Sequence, residues 1–287
     1  MRVISNEESV EMNIYTITIT GADDKVAPEQ LEKLSVKFPF VEWGILLSPN
    51  RAGQPRYPSK DWIKWLLNWS DGLRLSGHLC GKYTRDLLTD GKLTVADDHP
   101  DLFSKLNRMQ INFPHISEPH PDFFNTLQLI YDKDVIFQLN SLKSIMLFEE
   151  GRANWNLFNA YPLHDRSGGK GVCEEDIEES AKDRHISDCR MNGYAGGISP
   201  ENIREYIETL ERVFPEPTTK IWLDMENNIR TDNEFDLGKV ETCLEIAEEY
   251  ILPETRAATY FETNAGQKRV SQRPPEGPPK SSKRLFG

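Results

Sequence analysis

Four short stretches carry residue types that can do chemistry. The first is His164-Asp165-Arg166-Ser167-Gly168-Gly169-Lys170-Gly171. Paired glycines such as Gly168 and Gly169 let backbone N–H groups approach a phosphate closely, and Lys170 adds positive charge. The spacing is not that of the GxxxxGK[ST] nucleotide loop. Asp165 has the chemistry of a general acid or base, with an Asx turn as the plain alternative. The second stretch runs from Tyr194 to Asn202, YAGGISPEN. Gly196 and Gly197 would end a strand, and Ser199 before Pro200 would cap a helix. Glycine N–H groups and a positive helix end together suit an anion. The third is Pro49 to Ser59, where a proline-stiffened loop carries Arg56. Its guanidinium suits bidentate bonding to a carboxylate; an exposed surface arginine is the plain alternative. The fourth is Ile221 to Met225 followed by Glu226-Asn227-Asn228. Asp224 and Glu226 share a strand face and could hold a cation or a hydroxylated ligand.

These stretches need elements to position them. Short apolar, β-rich runs alternate with helical patterns along the chain. Strands are predicted at Ile14–Thr20, Val41–Leu47, Leu73–Leu79, Met109–Phe113, Val135–Leu139, Leu157–Leu163, Gly193–Gly196 and Ile221–Met225. Helices are predicted at Pro28–Phe38, Ser59–Trp69, Pro121–Asp132, Glu174–Asp183, Ser199–Val213 and Leu237–Tyr250. Strands that alternate with helices pair in parallel. The length suits a single (β/α)8 TIM barrel of about 250 residues. An open doubly wound sheet is the alternative, but no GxGxxG follows the first strand. In a barrel, chemistry sits where strands end, and all four stretches fall there. Trp62, Trp65, Leu66 and Trp69 form one helical stripe, read as core packing rather than a stacking platform. Residues 81–108 exceed a simple crossover and hold two predicted helices, Lys82–Thr89 and Pro100–Asn107, read as a lid or packing element.

The 287 residues carry 34 Lys and Arg against 46 Asp and Glu, a net charge of −12. That acidity argues against nucleic acid or an anionic membrane as the main partner. With 38% hydrophobic residues the chain can bury a core. No apolar run is long enough to span a bilayer, and no secretory leader is visible at the first residues. Cys80, Cys173, Cys189 and Cys243 are scattered without CxxC spacing, so neither a zinc site nor a disulfide framework is expected. A cytoplasmic protein is expected. Residues 1–12 read as a polar tail and 13–264 as the barrel. Residues 265–287, rich in Pro, Ser, Lys and Arg, read as a disordered basic tail.

Taken in order, ILLSPNRAGQPRYPS, MQINF, HDRSGGKG, YAGGISPENI and WLDMENN resemble the phosphoribosylanthranilate isomerase family. Its patterns are RYVSP, QLHG, D…GGTG, SGGLTPENV and DVSSGVE. The likeness runs from about Ile14 to Tyr250. It implies one (β/α)8 barrel catalysing an Amadori rearrangement of a phosphoribosyl amine, as in tryptophan biosynthesis, without cofactor or metal. By that resemblance Asp165 is the acid, Arg56, Gln110 and Asp224 contact substrate, and Gly168, Gly169, Gly196, Gly197 and Asn227 bind phosphate. The family's base cysteine falls on Thr20, whose hydroxyl is a poor base. Its Ser-Ser-Gly phosphate turn becomes Glu226-Asn227-Asn228, and Glu226 repels phosphate unless it is neutral or turned away. The His of QLHG becomes Asn112. His78 and Cys80, on one face of the third strand, are candidate replacement bases but read as packing residues. Asp23 and Asp24 read as solvated loop carboxylates. Two functions follow. One is a sugar isomerase, an intramolecular oxidoreductase acting on a phosphorylated ribosyl compound. The other is a barrel that has lost its chemistry and captures a ribosyl phosphate or nucleotide-like metabolite.

Overall fold

Strand-forming runs such as IYTITIT and VIFQL are rich in β-branched and aromatic side chains that suit a pleated, covered surface. The computed structural model places eight of them in a closed, all-parallel barrel in chain order. The structure describes residues 13–113, 118–165, 178, 189–214 and 220–251. The strands are β1 (Asn13–Thr20), β2 (Val41–Leu47), β3 (Leu75–Leu79), β4 (Arg108–Ile111), β5 (Asp134–Leu139), β6 (Ala160–Asp165), β7 (Met191–Ala195) and β8 (Lys220–Met225). Pairing of β1 with β8, for example Thr18 with Asp224, shuts the cylinder. The fold is therefore the (β/α)8 barrel, and the open sheet is excluded. Gly168, Gly169, Lys170, Gly171 and Cys173 lie outside the described residues, as do both tails and all of the helix predicted at Glu174–Asp183 except Glu178.

Alternation along the strands divides the core in two. Ile14, Ile17, Ile19, Trp43, Ile45 and Leu75 join the large cluster shared with the helices. The inner face is more polar. Arg108 donates through Nε and Nη2 to Glu42 at 2.7–3.0 Å and through Nη2 to Thr18 Oγ1 at 2.8 Å. Its guanidinium also lies 4.7 Å over the Trp222 ring. Space there is tight: a Cβ on Gly44 would sit 2.2 Å from Thr20 Oγ1 and 2.9 Å from His78 Nε2.

Several boundaries differ from expectation. Leu73 precedes β3 because Ser70–Gly72 forms a 3-10 turn. β6 starts three residues later than predicted, making Asp165 its last residue. The helix Leu142–Trp155 was not predicted; Ser141 caps it by accepting from the Ser144 N–H at 3.2 Å. The helix after β7 begins at Ile203, not beside Ser199. Asn202 Oδ1 accepts from the Ser199 N–H at 2.8 Å, so the Ser-Pro-Glu segment is a turn and the helix end stands back from Gly197. Segment 81–108 holds three short helices, Lys82–Asp90, Thr94–Asp98 and Pro100–Lys105. Leu87, Leu88, Val95 and Leu102 bury into the main cluster, which makes it a packing element. Trp62 is buried and donates its indole N–H to the Val26 carbonyl at 2.7 Å, while Trp65 and Trp69 pack on the same cluster. Among the described residues no helix is long and apolar enough to cross a membrane.

Candidate active site

The mouth is built from the C-terminal ends of the strands, where polar side chains of inward parity project. At the seam, Thr20 at the end of β1 donates its hydroxyl to Asp224 Oδ1 of β8 at 2.8 Å. On the far wall Gln138 of β5 donates to Asp165 Oδ2 of β6 at 2.7 Å. Between them lies a cavity of about 50 Å3 whose lining includes Gln138, Asp165, Gly196, Gly197, Asp224 and Asn227. Gly196 and Gly197 have φ of +109° and +70°, left-handed backbone that favours glycine there. The Gly197 carbonyl accepts from Asn202 at 3.0 Å and Asn228 at 2.9 Å, which ties the turn to the loop after β8.

Arg56 closes the side of the mouth. Its φ of +75° is unusual for a residue with a side chain, and its N–H donation to Asp23 Oδ2 at 2.7 Å helps hold that conformation. Its Nη1 donates to Glu226 Oε1 at 3.0 Å and also to Asn227. Asp23 is not a solvated loop carboxylate as expected. It is 4% exposed and also takes Arg230 Nη2 at 3.1 Å, because the β1 and β8 loops fold over it. Asp24 is the more open of the two and accepts from the Ser59 N–H at 2.8 Å. A second, wider cavity of about 580 Å3 opens beside Arg56, lined by Arg51, Tyr57, Asn112, Phe113, Asn140 and others. Glu226 and Gln138 border both cavities.

Burial sets the electrostatics. It pushes the Asp224 carboxyl up to about 7, against the Thr20 hydrogen bond that favours its charged form, and neighbouring Glu226 and Asp165 add to the rise. Burial also raises Glu226, with Arg56 pulling the other way. Among the described residues, the small cavity is lined by three acidic side chains, Asp165, Asp224 and Glu226, and by no Lys, Arg or His. His78 is buried and pushed down to about 3, so it stays neutral. Burial pushes the Cys80 thiol up to about 12, so it does not supply a thiolate. His78 is a packing residue, whereas Cys80 borders the wide cavity with its thiol protonated.

Of the residues singled out in the sequence, Asp165, Gly196, Gly197, Asp224 and Asn227 border the small cavity, and Arg56 borders the wide one. Thr20 and Gln110 are buried and act through neighbours: Gln110 donates to Asn112 Oδ1 at 2.9 Å. Sequence reasoning missed Gln138 and Arg230. Gln138 was findable as the polar residue of inward parity at the end of a predicted strand. Arg230 had no such signal, because its partners come from the loop after β1. Among the described residues no group of three His, Cys, Asp or Glu side chains is placed to hold a metal ion.

No protein-family model matches the chain, and no curated protein sequence is similar to it at a significant level. Solved barrels do resemble it. N-(5'-phosphoribosyl)anthranilate isomerase from Pyrococcus furiosus is 14% identical with a TM-score of 0.45, covering 82% of this chain and 98% of that one. A phospho-2-dehydro-3-deoxyheptonate aldolase from Thermotoga maritima is 12% identical with a TM-score of 0.48, over 83% and 68% of the two chains. Sph3 of Aspergillus clavatus, solved with GalNAc, is 11% identical with a TM-score of 0.45, over 82% and 97%. The class of protein is thus a (β/α)8 barrel whose mouth is rich in carboxylates.

Proposed function

We propose that the protein is an acid–base enzyme acting on a hydroxyl-rich sugar derivative, with Asp224 as the base that replaces the missing cysteine and Asp165 as its counterpart across the cavity. The observation that carries this is Asp224 itself: half-buried at the cavity wall, hydrogen-bonded to Thr20, and poised at about 7. A group balanced there takes a proton and returns it at neutral pH with little driving force lost either way. Thr20, at the position the isomerase resemblance gives to the base, then serves as the donor that orients Asp224. In an aldose-to-ketose rearrangement Asp165 would protonate the ring oxygen as the C1–O bond breaks and the amine lone pair forms C1=N. Asp224 would then remove the C2 proton of the opened sugar, giving an enaminol that becomes the ketose as C1 takes up a proton and the C2 hydroxyl gives one up. Gln138 holds Asp165 for that role.

The charge of the cavity bears on the substrate. Among the described residues, Asp165, Asp224 and Glu226 line it without a cationic side chain, and Arg56 is already engaged by Glu226 and Asn227. A phosphate there meets carboxylates rather than counter-charge. A neutral or amine-bearing sugar fits better than the phosphoribosyl group that the resemblance implies. The test is deuterium exchange at the sugar C2, followed by NMR, on N-ribosylanthranilate with and without its 5'-phosphate. Exchange into the unphosphorylated compound, lost in Asp224→Asn, is the expected result. Exchange into the phosphorylated compound alone would restore the ordinary isomerase activity, and no exchange into either would leave the barrel as a capturing module.

A further inference from the structure

The opposite end of the barrel is where a fold of this kind is expected to carry stability rather than function. Here it opens into a cavity of about 480 Å3, lined among others by Tyr15, Arg74, Lys105, Asn107, Arg108 and Asp134. Arg74 precedes β3 and Arg108 starts β4, both on the inner face with Glu42. They are 8% and 2% exposed, and the buried Nη1 of each has no hydrogen-bond partner. Arg108 spends its other nitrogens on Glu42 and Thr18. Arg74 lies 5.1 Å from the centre of the Tyr15 ring, and Lys220 Nζ lies 4.7 Å from the same ring. Two cations approach one aromatic ring, and Arg190 adds a third positive charge that acts on Asp134.

Three acids, Asp71, Asp132 and Asp134, share this lining with Arg74, Lys105 and Arg108. Asp71 is tied to Lys105 at 2.6 Å, and Asp132 to Lys133 at 3.1 Å, each with half or more of its side chain in solvent. Glu42 is fully committed to Arg108 and Thr18. Asp134 is raised by burial, which moves it towards its neutral, donating form. Arg74 and Arg108 border the cavity, and a buried donor of each lacks an acceptor that an oxyanion seated between them would supply.

We propose that this floor is a second binding site, separate from the mouth, that takes a small oxyanion, a phosphate or carboxylate group, between Arg74 and Arg108 with Lys105 at the rim. It stands independently of the chemistry at the mouth. The experiment is calorimetric titration of the purified protein with inorganic phosphate and, in a second series, acetate. A wild-type crystal soaked in selenate is examined by anomalous scattering. Saturable binding by at least one anion is expected, weakened at least tenfold by Arg74→Met and by Lys105→Met, with a selenium peak between Arg74 and Arg108. Tighter phosphate marks a phosphoryl ligand and tighter acetate a carboxylated one. Absence of saturable binding, binding unchanged in a folded Arg74→Met protein, or a selenium peak only beside Gly196 and Gly197 would overturn the proposal. Should Arg74→Met not fold, Lys105→Met and the wild-type peak decide.

Discussion

Replacing Asp224 by Asn removes the titrating proton while keeping the oxygen that accepts from Thr20. In the folded chain burial moves this carboxyl from its ordinary 3.8 to about 7. Between those two values the folded protein holds a proton that the unfolded chain has released. The contribution to stability is therefore full below about pH 4 and is lost as pH rises to and through 7. Each pH unit of separation is worth about 1.4 kcal/mol, so the limiting loss is about 4 kcal/mol. Part of the Asp224 surface faces the cavity, and water there screens the carboxylate, which brings the expected figure to about 2–3 kcal/mol. Urea unfolding of wild type and Asp224→Asn at a series of pH values from 4.5 to 8.5 measures it. The stability of the variant relative to wild type should climb by about 2–3 kcal/mol across that range. Glu226, also raised by burial, is present in both proteins and cancels to first order. A difference that stays flat within about 0.5 kcal/mol would refute the claim that Asp224 is held protonated by burial.

Gly44→Ala should cost about 1–3 kcal/mol in urea unfolding, because its Cβ would lie 2.2 Å from Thr20 Oγ1 and force that hydroxyl away from Asp224. The same variant should shift the apparent pKa of Asp224 upward, read from the pH midpoint of C2 exchange, since the lost hydrogen bond favoured the charged form. Arg108→Met strands Glu42 as a buried, unpaired carboxylate and should destabilise by about 3–5 kcal/mol; adding Glu42→Gln should recover much of that loss in the same denaturation assay. Cys80→Ser should leave the pH profile of exchange where it is, because burial keeps that thiol protonated.

Much of this architecture could be read directly because local and global signals agreed. Runs such as VEWGILL and IWLDM are rich in apolar residues and largely covered on both faces, as parallel barrel strands enclosed outside and packed inside must be. The misjudged boundaries are places where tertiary contacts decide. Leu157 has the composition of a strand residue, yet its N–H bonds back to Gly151 and its side chain closes the preceding helix. The helix Leu142–Trp155 lacks a clean apolar stripe, and Leu142 and Met146 remain exposed on it. Asp165, Asp224 and the Gly196-Gly197 turn stood out because strand ends mark the mouth of a barrel. Asp23 did not, because its burial depends on Arg230 from more than 200 residues away.

The contact between Thr20 and Asp224 also belongs to the seam where the first strand meets the last. A hydroxyl donates more strongly to an ionised oxygen than to a neutral one. The latch of the cylinder is thus tightest when the carboxyl is ready to receive hydrogen and slackest once it has one to give. The mechanical integrity of the scaffold and the readiness of the reagent reside in one pair of atoms, so neither can be retuned without disturbing the other.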